Sequence, residues 1–239
     1  MQFLANPGRF VRIADRLLPW AWSATAVLLA VGLYWGLVVA PQDYQQGDTV
    51  RIMYVHVPAA WMALFVYLTI ALGAASGLIW RHPLGFLVVQ AAAPVGACFT
   101  FLALVTGSLW GKPMWGTWWV WDGRLTSMLV LFFIYLGLIA LADAFDDRAR
   151  GQRFAAILAL VGVVNLPIIK FSVDWWATLH QPASVMRLDG PTIHPDLLWP
   201  LLIMALAFTA YFVAVLLVRV KQQILASRLR SLQLAAAGA

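Results

Sequence analysis

The chain has 239 residues, of which 63% are hydrophobic and only 11% are charged. A soluble domain carries about a quarter charged residues and about half apolar ones, so the excess apolar surface here has no soluble core to enter and must face lipid. The net charge of +6 does not point to nucleic acid, because the basic residues sit in short clusters between apolar runs.

All ten acidic residues are Asp. The single cysteine, Cys98, lies inside an apolar run, so the chain forms no internal disulfide, and no Cys-x-x-Cys-His element for covalent haem attachment is present. Thirteen tryptophans in one small chain carry most of the remaining signal.

Six apolar runs follow in chain order, at residues 20–40, 57–80, 84–109, 125–142, 154–169 and 197–218. Most approach the ~20 residues that cross a hydrocarbon core at about 1.5 Å per residue. The predicted architecture is an all-α membrane protein with six transmembrane helices, forming a single polytopic domain over residues 1–239. The fifth run is short and is expected to start or end among the headgroups. Pro58 is expected at a helix start, where a missing N–H costs little. Pro94 lies mid-run and is expected to kink the third helix. Val38-Val39-Ala40 faintly resembles a signal cleavage site, but the apolar run is long for a leader and Pro41 would follow the cut. Residues 221–239 read as a helical tail.

Lysine and arginine set the orientation. One side collects Arg9, Arg12, Arg16, Arg81, Arg148, Arg150, Arg153, Arg219, Lys221, Arg228 and Arg230, which is eleven, and the other holds Arg51, Lys112, Arg124, Lys170 and Arg187, which is five. The positive-inside rule then places both termini in the cytoplasm, and residues 41–56, 110–124 and 170–196 outside.

Five tryptophans fall within twelve residues of the second outer segment: Trp110, Trp115, Trp118, Trp119 and Trp121. Gly111, Pro113 and Gly116 argue against one long helix through it. From Trp115 onward a helical reading would put Trp115, Trp118, Trp119 and Asp122 on one face. An aromatic belt at headgroup depth explains Trp20, Trp35, Trp61, Trp80 and Trp199. It does not call for five Trp interleaved with Gly and closed by Asp122 and Arg124. A platform of indole faces suits a large flat macrocycle at an apolar-aqueous boundary.

Of four histidines, His82 falls on the cytoplasmic side. His56 opens the second span, His180 lies in the last outer segment, four residues after Trp176, and His194 just precedes the sixth span. A helical reading of residues 176–180 puts Trp176 and His180 on one face. Two or three histidines therefore share the outer side and a similar depth, flanking the Trp platform. Imidazole binds iron and serves as an axial haem ligand. A zinc site would need a third or fourth ligand, with no Cys or Glu outside, though the carboxylates Asp122 and Asp174 could serve. Arg51, Lys112 and Arg124 lie near the same surface, with propionate clamping, headgroup contact and an ion pair to Asp122 as their alternative roles.

These segments resemble the haem exporter protein C family (CcmC) of cytochrome c maturation. Residues 115–122, Trp-Gly-Thr-Trp-Trp-Val-Trp-Asp, are similar to the family's WWD signature. Residues 54–60, Tyr-Val-His-Val-Pro-Ala-Ala, resemble its first histidine segment. Residues 165–169, Asn-Leu-Pro-Ile-Ile, with 175–181, Trp-Trp-Ala-Thr-Leu-His-Gln, resemble its second. The likeness runs from about residue 40 to 181, and His194 has no counterpart in it. The resemblance implies six spans, a periplasmic WWD surface, and His56 and His180 as axial ligands of haem b. The implied haem-contacting set is Trp110, Trp115, Gly116, Trp118, Trp119, Trp121, Asp122, Arg124 and Arg51. It further implies a bacterial inner-membrane location among lipid, presentation of haem to the periplasmic chaperone CcmE, and association with the ABC-type subunits CcmA and CcmB and the small membrane protein CcmD.

Gly107-Ser-Leu-Trp-Gly111-Lys112-Pro113 is superficially like a phosphate-binding loop but is one residue short between glycines and has Pro where Ser or Thr should follow. The chain is expected to handle haem rather than act as an enzyme, and not to hydrolyse ATP. Two rival classes remain at this level. A b-type haem electron-transfer subunit would keep its haem and pair histidines deep in the bundle. A membrane transferase would use outer carboxylates such as Asp122 and Asp174.

Overall fold

The computed structural model describes residues 6–176, 178–181 and 184–237. Ala177, within the second histidine motif, and Gly238 and Ala239 of the tail lie outside the described residues. Six helical spans are long and apolar enough to cross a membrane, and no strand occurs among the described residues.

Helix α1 (Pro7–Tyr34) begins well before the apolar run at residue 20. Asn6 caps it, its side chain accepting from Gly8 N at 2.9 Å, and Pro7 occupies the first turn, where its missing donor is not needed. A π-helical turn (Trp35–Val39) ends the first span. A 3-10 turn (Asp48–Ile52) then leads directly into α2 (Met53–Ile79). That earlier start puts Pro58 inside α2, buried, rather than at its beginning.

Helix α3 (Gly85–Trp115) corrects the expectation of a break at Gly111 and Pro113: it runs through both. It stops where Gly116 adopts φ 75°, a left-handed conformation that favours glycine, and its N–H closes on the Lys112 carbonyl at 3.0 Å. Helix α4 (Gly123–Asp143) is capped by Asp122. The short fifth run becomes two stacked pieces, α5 (Arg148–Gly162) and α6 (Asn165–Trp175), which together span 28 residues. The break just precedes Pro167, whose ring and missing N–H disfavour a continuous turn there. Helix α7 (Pro195–Ala237) is continuous through the tail, and its 43 residues extend about twice as far as a bilayer core is thick.

Helices α2 and α3 pack together closely, as do α1 and α7, with α4 and α5 against the α2–α3 pair. Small residues allow this approach: Ala59, Ala63 and Ala74 of α2 face Ala92, Ala93, Ala97 and Ala103 of α3 in one buried cluster. Two buried tyrosines lock the bundle laterally. Tyr135 donates to Ala63 O at 2.7 Å, Tyr67 donates to Ala159 O at 3.1 Å, and their rings meet edge-on at 5.3 Å.

The chain therefore has two distinct ends. At one, Lys221 pairs with Asp15 and Arg219 Nε donates to Ala91 O at 2.9 Å, joining α7 to α1 and α3. At the other, the Trp-rich segment, the 3-10 turn and residues 178–181 converge.

Candidate functional site

Helix α2 delivers His56 and α3 delivers its support. His56 Nδ1 lies 3.0 Å from Ala103 O and 3.1 Å from Thr106 Oγ1. The Thr106 hydroxyl donates to Leu102 O at 2.6 Å, so its oxygen is free to accept. Two acceptors facing Nδ1 fix the proton there and leave the lone pair on Nε2, which is the tautomer that ligates a metal through Nε2. The ring meets Trp110 edge-on at 5.6 Å. Ala103, Thr106, Gly107 and Trp110 form one helical stripe, so the whole pocket for His56 is written along one face of α3.

His180 comes from the loop after α6. Its ring sits edge-on to Trp115 at 4.9 Å, at the last residue of α3. Nδ1 is buried, without a hydrogen-bond partner, and stands 3.6 Å from Asp122 Oδ2, a close approach too long for a hydrogen bond. Burial holds His180 below its ordinary pKa and the Arg124 charge lowers it further, while Asp122 works in the opposite direction. The ring is therefore neutral at physiological pH, the form that binds iron.

Asp122 is itself buried. Its Oδ1 accepts from Leu125 N at 2.8 Å, and its Oδ2 accepts from the Thr178 hydroxyl. Asp122, which closes the Trp-rich segment, thus caps α4 and ties the His180 loop to it. Arg124, in the first turn of α4, donates to Ser172 Oγ at 3.3 Å and to the carbonyls of Ile169 and Lys170 at 3.4 and 3.3 Å, anchoring α6. Its charge opposes protonation of His180. Arg51 turns to the end of the first span, donating to Leu37 O at 2.6 Å and pairing with Asp48 at 3.1 Å. A cation at those carbonyls complements the C-terminal end of that span.

The tryptophans divide into two sets. Trp110 and Trp115 are half-buried against the two histidines, and Trp110 Nε1 donates to Gln46 Oε1 at 3.0 Å. Trp118 and Trp121 are exposed, as are Trp175 and Trp176. Trp119 lies beneath Trp121, centroids 5.5 Å apart, with its Nε1 buried and unpartnered. Lys112 donates to Gly116 O at 2.9 Å and lies over the Trp118 ring at 5.9 Å. The predicted common face of Trp115, Trp118, Trp119 and Asp122 does not form, because residues 116–122 are not helical once Gly116 ends α3. Nor do Trp176 and His180 share a helix face: α6 ends at Trp175 and Trp176 is extended.

Two histidines stand apart. His82 is at the opposite end, accepting from Leu84 N in the α2–α3 turn. His194 starts α7, its carbonyl accepting from Leu197 N and its Nδ1 from Asp196 N at 3.3 Å. No group of three or more His, Cys or Asp able to hold a metal ion occurs among the described residues. The sequence alone did not single out Thr178 or Thr106, and Gly107 drew notice only in the resemblance to a phosphate-binding loop, although Thr178 lies two residues before His180.

The chain matches the profile of Heme exporter protein C over residues 1–235. It belongs to the Heme exporter protein C family. It is 58% identical over 231 residues to Heme exporter protein C of Bradyrhizobium diazoefficiens, covering 97% of this chain and 88% of that one. It is 54% identical over 197 residues to the Escherichia coli protein of the same name, covering 82% and 80% of the two chains. The Paracoccus denitrificans protein is 42% identical over 229 residues, covering 95% of each. In this member of the family the Trp-rich segment and the segments bearing His56 and His180 lie on a six-span, multi-pass membrane chain.

Proposed function

We propose that this chain binds haem b at the tryptophan end of the bundle and presents it to the periplasmic chaperone CcmE during c-type cytochrome biogenesis. The observation that carries this reading is the paired setting of His56 and His180. Both rings rest edge-on against tryptophans of the last two turns of α3, and both have Nδ1 turned toward an oxygen acceptor. Such a pair suits two axial positions of one iron. Haem supplies that iron as cargo, and the chain supplies the rest. The histidines hold the metal, and the exposed Trp118 and Trp121 offer apolar area to the macrocycle edge, with Trp119 packed against Trp121.

Arg51 and Arg124 have protein partners here, so clamping a propionate would draw them from the carbonyls of Leu37 and Lys170. The eleven-to-five split of basic residues supports a tryptophan end facing the periplasm and cytoplasmic termini in an inner-membrane protein. The name of the relatives favours delivery over electron transfer, and partnership with CcmA, CcmB and CcmD follows the same reading. The test is to load the purified protein with haem and add CcmE. Covalent haem should appear on CcmE and leave this chain. Haem that stays bound through a turnover of redox cycling, with none reaching CcmE, would favour the electron-transfer alternative.

A further inference from the structure

Thr178 joins the two parts of the site that the sequence presents as separate motifs. Its hydroxyl donates to Asp122 Oδ2, and Thr178 Oγ1 itself accepts from the backbone N–H of His180 at 3.2 Å. Asp122 is held from its other side by Leu125 N at 2.8 Å, inside the capped end of α4. The carboxylate therefore cannot shift toward solvent without losing a helix cap, and the loop carrying His180 cannot shift without losing Thr178. The outcome is His180 Nδ1 set 3.6 Å from Asp122 Oδ2, with the ring against Trp115.

Resting on the haem reading above, we propose that Thr178 is a positioning residue. It clasps Asp122 to the His180 loop, holding the carboxylate 3.6 Å from Nδ1, near enough to close into a hydrogen bond when Nε2 takes iron. The aspartate of the WWD segment then acts on haem through His180 instead of touching the macrocycle. A carboxylate behind a ligating imidazole fixes the tautomer and raises its basicity, and losing such a partner typically costs about 10–100-fold in metal affinity.

The experiment uses the full-length protein in nanodiscs, titrated with haemin. Thr178→Val keeps the shape and removes the hydroxyl, whereas Thr178→Ser keeps the hydroxyl. Thr178→Val should retain haem about 10-fold less well and show a mixed-spin spectrum that added imidazole returns to low spin. Thr178→Ser should behave as the native protein does. Asp122→Asn should raise the haem reduction potential, because the ligand loses basicity. Three results overturn the proposal: a native low-spin spectrum and retention in Thr178→Val, failure of Thr178→Ser equal to that of Thr178→Val, or failure of imidazole to restore the spin state. If the native protein itself takes up no haem, the function proposed above falls together with this one. An effect confined to the Thr178 variants bears on the clasp alone.

Discussion

A Cβ placed on Gly107 would stand 2.8 Å from Cε1 of His56. The imidazole thus lies directly on the α3 backbone, and it is pinned there by Ala103 O and Thr106. Gly107→Ala should push the ring off this seat at a cost of about 1–3 kcal/mol. The expected readout is weaker haem retention with a disturbed axial spectrum. Gly137→Ala, whose added methyl would meet only the flexible end of Leu158 at 3.2 Å, should leave both unchanged.

The division of the tryptophans makes a second prediction. Trp118 and Trp121 are exposed, so Trp118→Ala and Trp121→Ala should remove stacking area worth on the order of 1 kcal/mol each and leave the axial spectrum alone. Trp115 instead supports His180 at 4.9 Å. Trp115→Ala should therefore shift the spin state as well as lower retention. Haem content and the visible spectrum, recorded for each variant beside covalent haem on the acceptor, separate the two sets. Identical behaviour of all three would return the segment to the role of an interfacial belt.

His180 carries a third. Burial first, and then the Arg124 charge, favour its neutral form, so in the haem-free protein it should gain its proton only below the ordinary histidine value of 6.5. Arg124→Gln removes a positive neighbour and should move the titration upward. Asp122→Asn removes the negative one and should move it further down. Between the native and ordinary values the unfolded chain binds more protons, so His180 lowers stability as pH falls below 6.5. Imidazole NMR across roughly pH 4 to 8, a window that brackets the ordinary histidine value, reports the midpoint and both signs directly.

Orientation is testable independently of haem. Single cysteines at 112 and 187, in a Cys98→Ala background, should react with an impermeant reagent added to spheroplasts, and a cysteine at 150 should not. All three positions are exposed, so access is decided by side and not by burial. Labelling at 150 with protection at 112 would invert the placement of the site.

Much of the fold was legible because lipid imposes one rule: long apolar runs must be helical. The runs at 57–80, 84–109 and 125–142 map onto α2, α3 and α4, whose bounds differ mainly where polar ends continue the helix. Composition could not show that α1 starts at Pro7, since Asn6 and Pro7 signal the cap while Arg9, Arg12 and Arg16 mark the end of the apolar run. The path of residues 110–122 was misread for a local reason. Glycine and proline at 111 and 113 weaken a helix, yet contacts to His56 and the 3-10 turn keep α3 intact, and only the left-handed Gly116 ends it. The candidate residues themselves were visible by type and spacing. Their division of labour was not, because a buried cap such as Asp122 and an exposed clamp read alike until the chain is folded. The hydroxyl of Thr178 was invisible for the same reason: its partner lies 56 residues away.

The central claim is that one haem iron is held between His56 and His180. It is tested most directly by the absorption and electron paramagnetic resonance spectra of the purified, haem-loaded protein. The account predicts a low-spin, six-coordinate iron in the native chain. His56→Ala and His180→Ala should each give a mixed or high-spin spectrum that imidazole restores, the double variant should lose the low-spin signal, and His82→Ala should change nothing. A native low-spin spectrum in the His56→Ala, His180→Ala double variant would contradict it.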